Sequence, residues 1–252
     1  MGDGGTTVIW ISGASSGIGA ALAQSVPFPN ARVLSVSRRP PHGGEHVAAD
    51  LSDPASWPSV VASFEDVLTE PGIDRAMFLH FSGDGWPHGR AVDADPDRYA
   101  ASVILNGTSG PVLGQRFLIA CRRHSVPAAL VMCSSPAALG ANRGTSHYSA
   151  GKAALLTWTE IVRAEEMPHG TTVLAVIPWA TDTPMLRDAS RQPVDTNPLS
   201  GEIGTLIASD AVAQPADVAA QIWRAVVAGA PTSPLHVGLV PPEFQPPDST
   251  VS

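Results

Sequence analysis

Residues 7–19 read TVIWISGASSGIG: an apolar, β-branched run, a serine, and then glycines at Gly13, Gly17 and Gly19. The run is short for a helix and has the composition of a buried strand, whereas residues 17–26 carry the apolar spacing of a helix. Strand, glycine turn and helix in that order bring bare backbone next to the N–H groups of a first helical turn, a fitting place for the pyrophosphate of a dinucleotide. The spacing is G-x-x-x-G-x-G rather than G-x-G-x-x-G. Taken alone, such a turn also serves ordinary chain reversals, so the rest of the chain must decide its meaning.

The alternation continues to the C-terminus. ARVLSVS, HVAAD, AMFLHF, AALVMCS, TVLAVI and LHVGLV read as further strands, and residues 54–69, 96–124, 146–166 and 215–228 as further helices, several opening on Asp, Ser or Pro. Repeated strand–helix–strand units pair in parallel through right-handed crossovers. The expectation is α/β: a single doubly wound Rossmann-type domain over residues 1–252, with a parallel seven-stranded sheet and helices on both faces. Residues 184–210 break the rhythm with prolines, glycines and polar residues and are expected to form a substrate lid. Residues 241–252, PPEFQPPDSTVS, are expected to be a flexible tail.

Composition removes other classes. A net charge of -8 over 252 residues argues against nucleic acid and against an anionic membrane surface as partners. No apolar run approaches a membrane span, and the N-terminus MGDGGTTVIW lacks the basic and long apolar segments of a signal peptide, which points to a cytoplasmic protein. Cys121 and Cys133 are too few for a disulfide framework, and no Cys/His cluster suggests a metal; two free thiols are expected.

The stretch HYSAGKAALL, residues 147–156, holds the only lysine of the chain, Lys152, four residues after Tyr148, one of two tyrosines. Fourteen arginines elsewhere show that a solvated positive charge did not require lysine here. Four residues apart on a helix is one face, so the two side chains can act on one site. A phenol with a reference pKa near 10 exchanges protons slowly at neutral pH, and a nearby ammonium would pull that value down.

Together with the glycine turn, YSAGK resembles the classical short-chain dehydrogenase/reductase family, from about residue 7 to residue 239. SGASSGIG resembles the family's cofactor loop, Asp50-Leu51 its adenine-contacting pair, and Asn106 its helix asparagine; Ser135, thirteen residues before Tyr148, matches its serine, and PWATDTPM, residues 178–185, its Pro-Gly-x-x-x-Thr-Pro-Met loop. The resemblance implies reduction of a ketone or diketone to an alcohol, or the reverse, with Tyr148 as general acid. Lys152 would reach the nicotinamide ribose and the phenol, Ser135 would orient the carbonyl, and Asn106 would hold a water leading to solvent. The implied cofactor contacts are Gly13, Ser15, Ser16, Gly17, Ile18, Gly19, Ser37, Arg38, Arg39, Asp50, Leu51, Ser82, Gly83, Tyr148, Lys152, Pro178, Trp179, Thr181 and Thr183.

An NAD-specific site would place a carboxylate where Ser37 ends the second strand; here Arg38 and Arg39 follow, and a guanidinium binds a 2'-phosphate through paired, charge-assisted bonds. NADPH is expected over NADH, although Ser16 stands where many NADP-binding relatives carry a basic residue. His80-Phe81-Ser82-Gly83 replaces the family's Asn-Asn-Ala-Gly, Trp179 replaces a glycine beside the nicotinamide, and HVGLVPPEF replaces the Asp-Gly-Gly ending. Trp86, Pro136, Leu139, Asn142, His147, Trp179, Met185 and Leu186 would face a carbonyl substrate with an apolar or aromatic flank, as in the sepiapterin- and benzil-reductase branch. His88 and His147 are expected as wall or surface residues, and Ser134 and Ser149 in plain structural roles. Two readings stand beside this one: a catalytically silent nucleotide-binding sensor or scaffold, and a cofactor-bound dehydratase or epimerase. Pairing through the two long helices into a homodimer, or a homotetramer, is implied by the resemblance.

Overall fold

The computed structural model describes residues 5–41, 44–230 and 232–245. Seven strands run β1 (Thr6–Ser12), β2 (Ala31–Ser37), β3 (Glu45–Ala48), β4 (Ile73–His80), β5 (Ala128–Cys133), β6 (Thr172–Pro178) and β7 (Leu235–Val237), all parallel, in the order β3-β2-β1-β4-β5-β6-β7. The order reverses beside β1, and in such sheets ligands bind outside the carboxyl ends of the strands at that point.

Two-residue periodicity builds a core on each face. Val8, Trp10, Ala76, Phe78, Leu130 and Met132 point to one side, where α2 (Trp57–Leu68), α4 (Ser109–His124) and α5 (Ser146–Glu166) supply Phe64, Phe117 and Leu155. Ile9, Ile11, Met77, Leu79 and Val131 point to the other, against Leu22 of α1 (Gly17–Gln24) and Ile222 and Trp223 of α8 (Pro215–Val227). Strands covered on both faces read as continuous apolar runs, which is why the sequence marked them. Trp10, Phe64, Phe78 and Phe117 meet edge-on or tilted, and burying each such ring contributes about 2–3 kcal/mol.

One expectation needs correction, and two segments gain local structure. The helix expected over 96–124 is two, α3 (Pro96–Val103) and α4, joined by one π-helical turn over Ile104–Thr108 that contains Asn106. Residues 184–210 are largely helical, with α6 (Pro184–Ser190) started by the Thr183 hydroxyl accepting from Leu186 N, and α7 (Ser200–Ala208) following. Of the expected flexible tail, residues 241–245 carry a 3-10 turn whose Phe244 packs on Trp179 and His236; residues 246–252 lie outside the described residues. Cys121 and Cys133 are free and buried. Among the described residues no helix is long and apolar enough to cross a membrane, and no cluster could hold a metal ion.

Candidate active site

The carboxyl ends of β1, β4, β5 and β6 open onto one region, and the expected residues converge there. Gly13 turns the chain out of β1 at φ +74°, and a Cβ on it would lie 2.8 Å from the Phe81 carbonyl, so only glycine fits between the two strand ends. Beyond it, Ser15 and Ser16 are exposed, and the Ser16 side chain does not cap α1. The first N–H groups of a helix have no intrahelical acceptor, so this end is left for an anion. Thr183 leans over the same turn, its methyl 3.0 Å from where a Cβ on Gly17 would stand.

At the far edge of the region, Ser37 donates to Arg39 O at 2.6 Å, while Arg38 and Arg39 are exposed and make no ion pair among the described residues. Asp50 Oδ1 is occupied by Ser52 N and Oγ, at 3.0 and 2.6 Å. Leu51 is buried. The bare glycine turn, the uncapped helix and the free arginines suit a phosphorylated dinucleotide.

In the centre sits Lys152, 3 % exposed and without a carboxylate partner among the described residues. Its Nζ donates to Cys133 O at 2.9 Å and to Ser82 O at 3.5 Å. Desolvation lowers its pKa from the usual ammonium range. Nζ is 5.8 Å from the Tyr148 ring centre. The expected lowering of the phenol by that ammonium is not what dominates here: burial pushes half-buried Tyr148 up to about 12, with a hydrogen bond from Ser135 working the other way. Ser135 Oγ also accepts from Ala137 N at 3.2 Å, starting the 3-10 turn Pro136–Leu139. Ser134 donates to Lys152 O at 2.9 Å and Ser149 pairs with Thr145, both structural.

Asn106 is 1 % exposed in the π turn, and its side chain bonds the backbone of Asp84 in the segment after β4. Asn106 Oδ1 and Lys152 Nζ lie 3.0 and 3.2 Å from the point a Cβ on Gly83 would occupy. Helix α5 passes the turn so closely that a Cβ on Gly151 would be 2.8 Å from Asn106 Cβ.

A histidine and two serines form a buried network at the end of β4. Ser12 Oγ accepts from Phe81 N at 3.1 Å and Ser82 N at 3.2 Å, and gives its own proton to His80 Nδ1 at 3.0 Å. His80 Nε2 then faces Ser109 Oγ at 3.5 Å, while Ser109 donates to Leu105 O. One buried imidazole thus ties β1, β4 and α4, and burial, with a smaller effect from the Lys152 charge, pushes its pKa down to about 3. Ser12 opens the glycine-rich motif without a role of its own and no motif announced Ser109; the only signal of their link was His80 in place of asparagine.

Trp179 does not wall the centre. Its indole donates to His236 Nδ1 at 3.1 Å and packs on Phe244, while Thr181 donates to Trp179 O at 2.7 Å. Pro178 ends β6 half-buried. His147 is no pocket wall either: it is 2 % exposed and bonded to Ser102 and Pro87. Trp86, Leu139 and Met185 are about two-fifths exposed around the opening, and Trp86 Nε1 donates to Asp188 Oδ2 of α6 at 2.6 Å. His88 meets the Trp86 ring edge-on at 5.0 Å, and its Nδ1 is buried without a hydrogen-bond partner among the described residues. Hollows of about 510 and 430 Å³ lie elsewhere, beside α8, and include none of these residues.

Residues 13–224 match the family model described as enoyl-(acyl carrier protein) reductase. The chain is similar to short-chain reductase protein NovJ of Streptomyces niveus, 28% identical over 240 residues that cover 86% of this chain and 85% of that protein. Among solved structures it resembles 4-hydroxyisoleucine dehydrogenase complexed with NADH, at TM-score 0.76 and 18% identity over 92% of this chain and 96% of that one. It also resembles a variant of actinorhodin polyketide ketoreductase with NADPH, at TM-score 0.76 and 21% identity over 92% and 95%. At those identities the structural likeness speaks for the fold alone.

Proposed function

The chain belongs to the short-chain dehydrogenase/reductase family, and from that premise we propose that this NAD(P)-dependent oxidoreductase reduces a small ketone or diketone with NADPH, Tyr148 donating the proton. The observation that carries the reading is Lys152: a buried ammonium without a carboxylate is expensive, and a chain that otherwise uses arginine keeps it beside Tyr148 and Asn106.

The cofactor, when bound, supplies the reducing equivalent to the carbonyl carbon. Gly13, Ser15, Ser16, Gly17, Ile18 and Gly19 would receive its phosphates, Arg38 and Arg39 a 2'-phosphate, and Asp50 and Leu51 the adenine side. Ser82, Gly83, Pro178, Thr181 and Thr183, with only the backbone of Trp179, border the other end. Ser135 donates to the substrate oxygen and orients it. Tyr148, held protonated by burial, gives its proton to that oxygen as negative charge develops there. Lys152 stabilises the phenolate left behind, and Asn106 connects the ammonium to solvent. A neutral phenol suits reduction near neutral pH; the reverse oxidation needs phenolate and should gain rate as pH rises.

The exposed Trp86, Leu139 and Met185 favour a substrate with an apolar or aromatic flank, with α6 and α7 as its lid. Helices α4 and α5 expose Ile119 and Ile161, in keeping with a homodimer or homotetramer. His80 bonds Ser12, and the Trp179 indole turns to His236 of β7, so neither departure from the family pattern argues for the silent sensor. The test is NADPH consumption, followed by absorbance, with a panel of diketones, quinones and aryl ketones. Tight NADPH binding without consumption by any of them would overturn the reading.

A further inference from the structure

Helix α5 sets His147 immediately before Tyr148, and the buried imidazole is the middle of a directed chain of hydrogen bonds. His147 Nε2 lies 2.6 Å from Pro87 O, and Nδ1 lies 3.1 Å from Ser102 Oγ. A carbonyl only accepts, so Nε2 carries a proton, and in the neutral ring Nδ1 is then the acceptor. Ser102 must then donate its hydroxyl proton to Nδ1, which leaves Ser102 Oγ to accept from Asn106 Nδ2 at 3.0 Å. Nδ2 is further engaged by Asp84 O at 2.8 Å and Ser102 O at 3.0 Å.

The direction of the chain fixes which end of the carboxamide faces where. Oδ1 points the other way, accepts from Asp84 N at 3.1 Å, and shares with Lys152 Nζ the space above Gly83. Turned over, the amide would set its NH2 against the Asp84 N–H and toward the ammonium, donors facing donors. The same bonds fasten residues 84 and 87, in the loop that carries Trp86, to the π turn and to α5. Tyr99 closes the outer side, its ring edge-on to His147 at 5.4 Å and its hydroxyl 3.0 Å from Ser146 Oγ.

We propose that Ser102 and His147 are positioning residues: Ser102 holds the Asn106 oxygen toward Lys152, and His147 holds the substrate-side loop through Pro87. The proposal rests on the role given above to Asn106 and Lys152. Neither Ser102 nor His147 touches the reacting groups, so their effects should divide. Ser102→Ala removes the hydroxyl acceptor of Asn106 Nδ2, keeps the carbonyls of Asp84 and residue 102, and leaves the Pro87 bond, so kcat should fall about ten-fold while KM for the carbonyl stays within about two-fold. His147→Asn keeps an acceptor near Ser102 but cannot reach Pro87, so its main effect should be a raised KM.

A readout independent of turnover is available because the chain has one lysine: carbon-13 lysine labelling gives a single Cε resonance for Lys152. Losing an acceptor held toward an ammonium lowers its pKa, so the titration midpoint should move down in Ser102→Ala and return toward the parent value in Ser102→Thr, which keeps the hydroxyl. Thermal unfolding checks the fold, and Ser102→Cys, similar in size but a weak donor, carries the test should Ser102→Ala not fold. A folded Ser102→Ala protein with unchanged kcat and unchanged Lys152 midpoint overturns the proposal, as does a midpoint that moves equally in Ser102→Thr. Should the parent turn over no carbonyl, the functional reading fails by itself, and the Lys152 titration still decides the network.

Discussion

His80 makes the acid stability of this protein calculable. The ring is fully buried and neutral, with Nδ1 receiving the Ser12 proton, and its pKa is pushed down to about 3. Unfolded, the same imidazole titrates near 6.5. Below that value the unfolded chain binds a proton that the folded one refuses, so the contribution is complete above about pH 6.5 and is lost as pH falls toward the folded value. Each pH unit in that window costs about 1.4 kcal/mol, which gives about 1.4 kcal/mol by pH 5.5 and about 2.7 kcal/mol by pH 4.5. His80→Asn removes the titrating group and adds a pH-independent offset from the altered packing against Ser12 and Ser109. Urea unfolding of both proteins at about pH 7.5, 5.5 and 4.5, followed by tryptophan fluorescence, separates the two. The parent should lose about 2.7 kcal/mol more than the variant between the extremes, because other titrating groups cancel in the difference. Parallel curves within about 0.5 kcal/mol would refute a neutral, strongly desolvated His80.

Lys152→Arg should lose at least about a hundred-fold in kcat/KM, about 2.7 kcal/mol, since the space between Gly83 and Cys133 O takes a compact ammonium and not a planar fork; retention of most activity would end the proposed role. Tyr148→Phe should lose more. Arg38→Ala should erase an NADPH-over-NADH preference of about ten-fold, about 1.4 kcal/mol, and equal affinities for both cofactors in the parent would contradict the assignment. Gly151→Ala should destabilise by about 1–2 kcal/mol despite alanine's better helix propensity, because its Cβ would stand 2.8 Å from Asn106 Cβ and 3.0 Å from Gly107 N; a gain in stability on urea unfolding would show that the π turn yields easily.

Much of the site could be read along the chain because its groups sit at strand ends and on one helix face. The turn after β1 and the Tyr148–Lys152 pair are of this kind, and both fall where the local pattern set them. Residues 184–190 carried a legible signal that the prolines obscured: Thr183 followed by Pro184 is a cap and a first helical residue, not a breaker. The π turn was not legible, because residues 96–124 have ordinary helical spacing. What opens the helix at Asn106 is the approach of Gly151 and the backbone of Asp84, neither of which is near it in sequence.

The ionisation of the centre was equally out of reach. Spacing alone puts Lys152 near Tyr148 and suggests a lowered phenol; in the fold the ammonium turns to the Cys133 and Ser82 carbonyls, and burial raises the phenol against the hydrogen bond from Ser135. The sequence determined the seven strands, the two-faced core and the placing of Tyr148 and Lys152 on one helix, because hydrophobic periodicity and helix geometry repeat over a few residues and need no distant partner. Only the tertiary structure decided that Ser12 answers His80 across 68 positions, that Ser102 answers His147 across 45, and that Trp179 turns toward His236 and away from the site. Hydrogen-bond partners and burial are properties of the residues that folding brings together, and their neighbours in the chain do not set them.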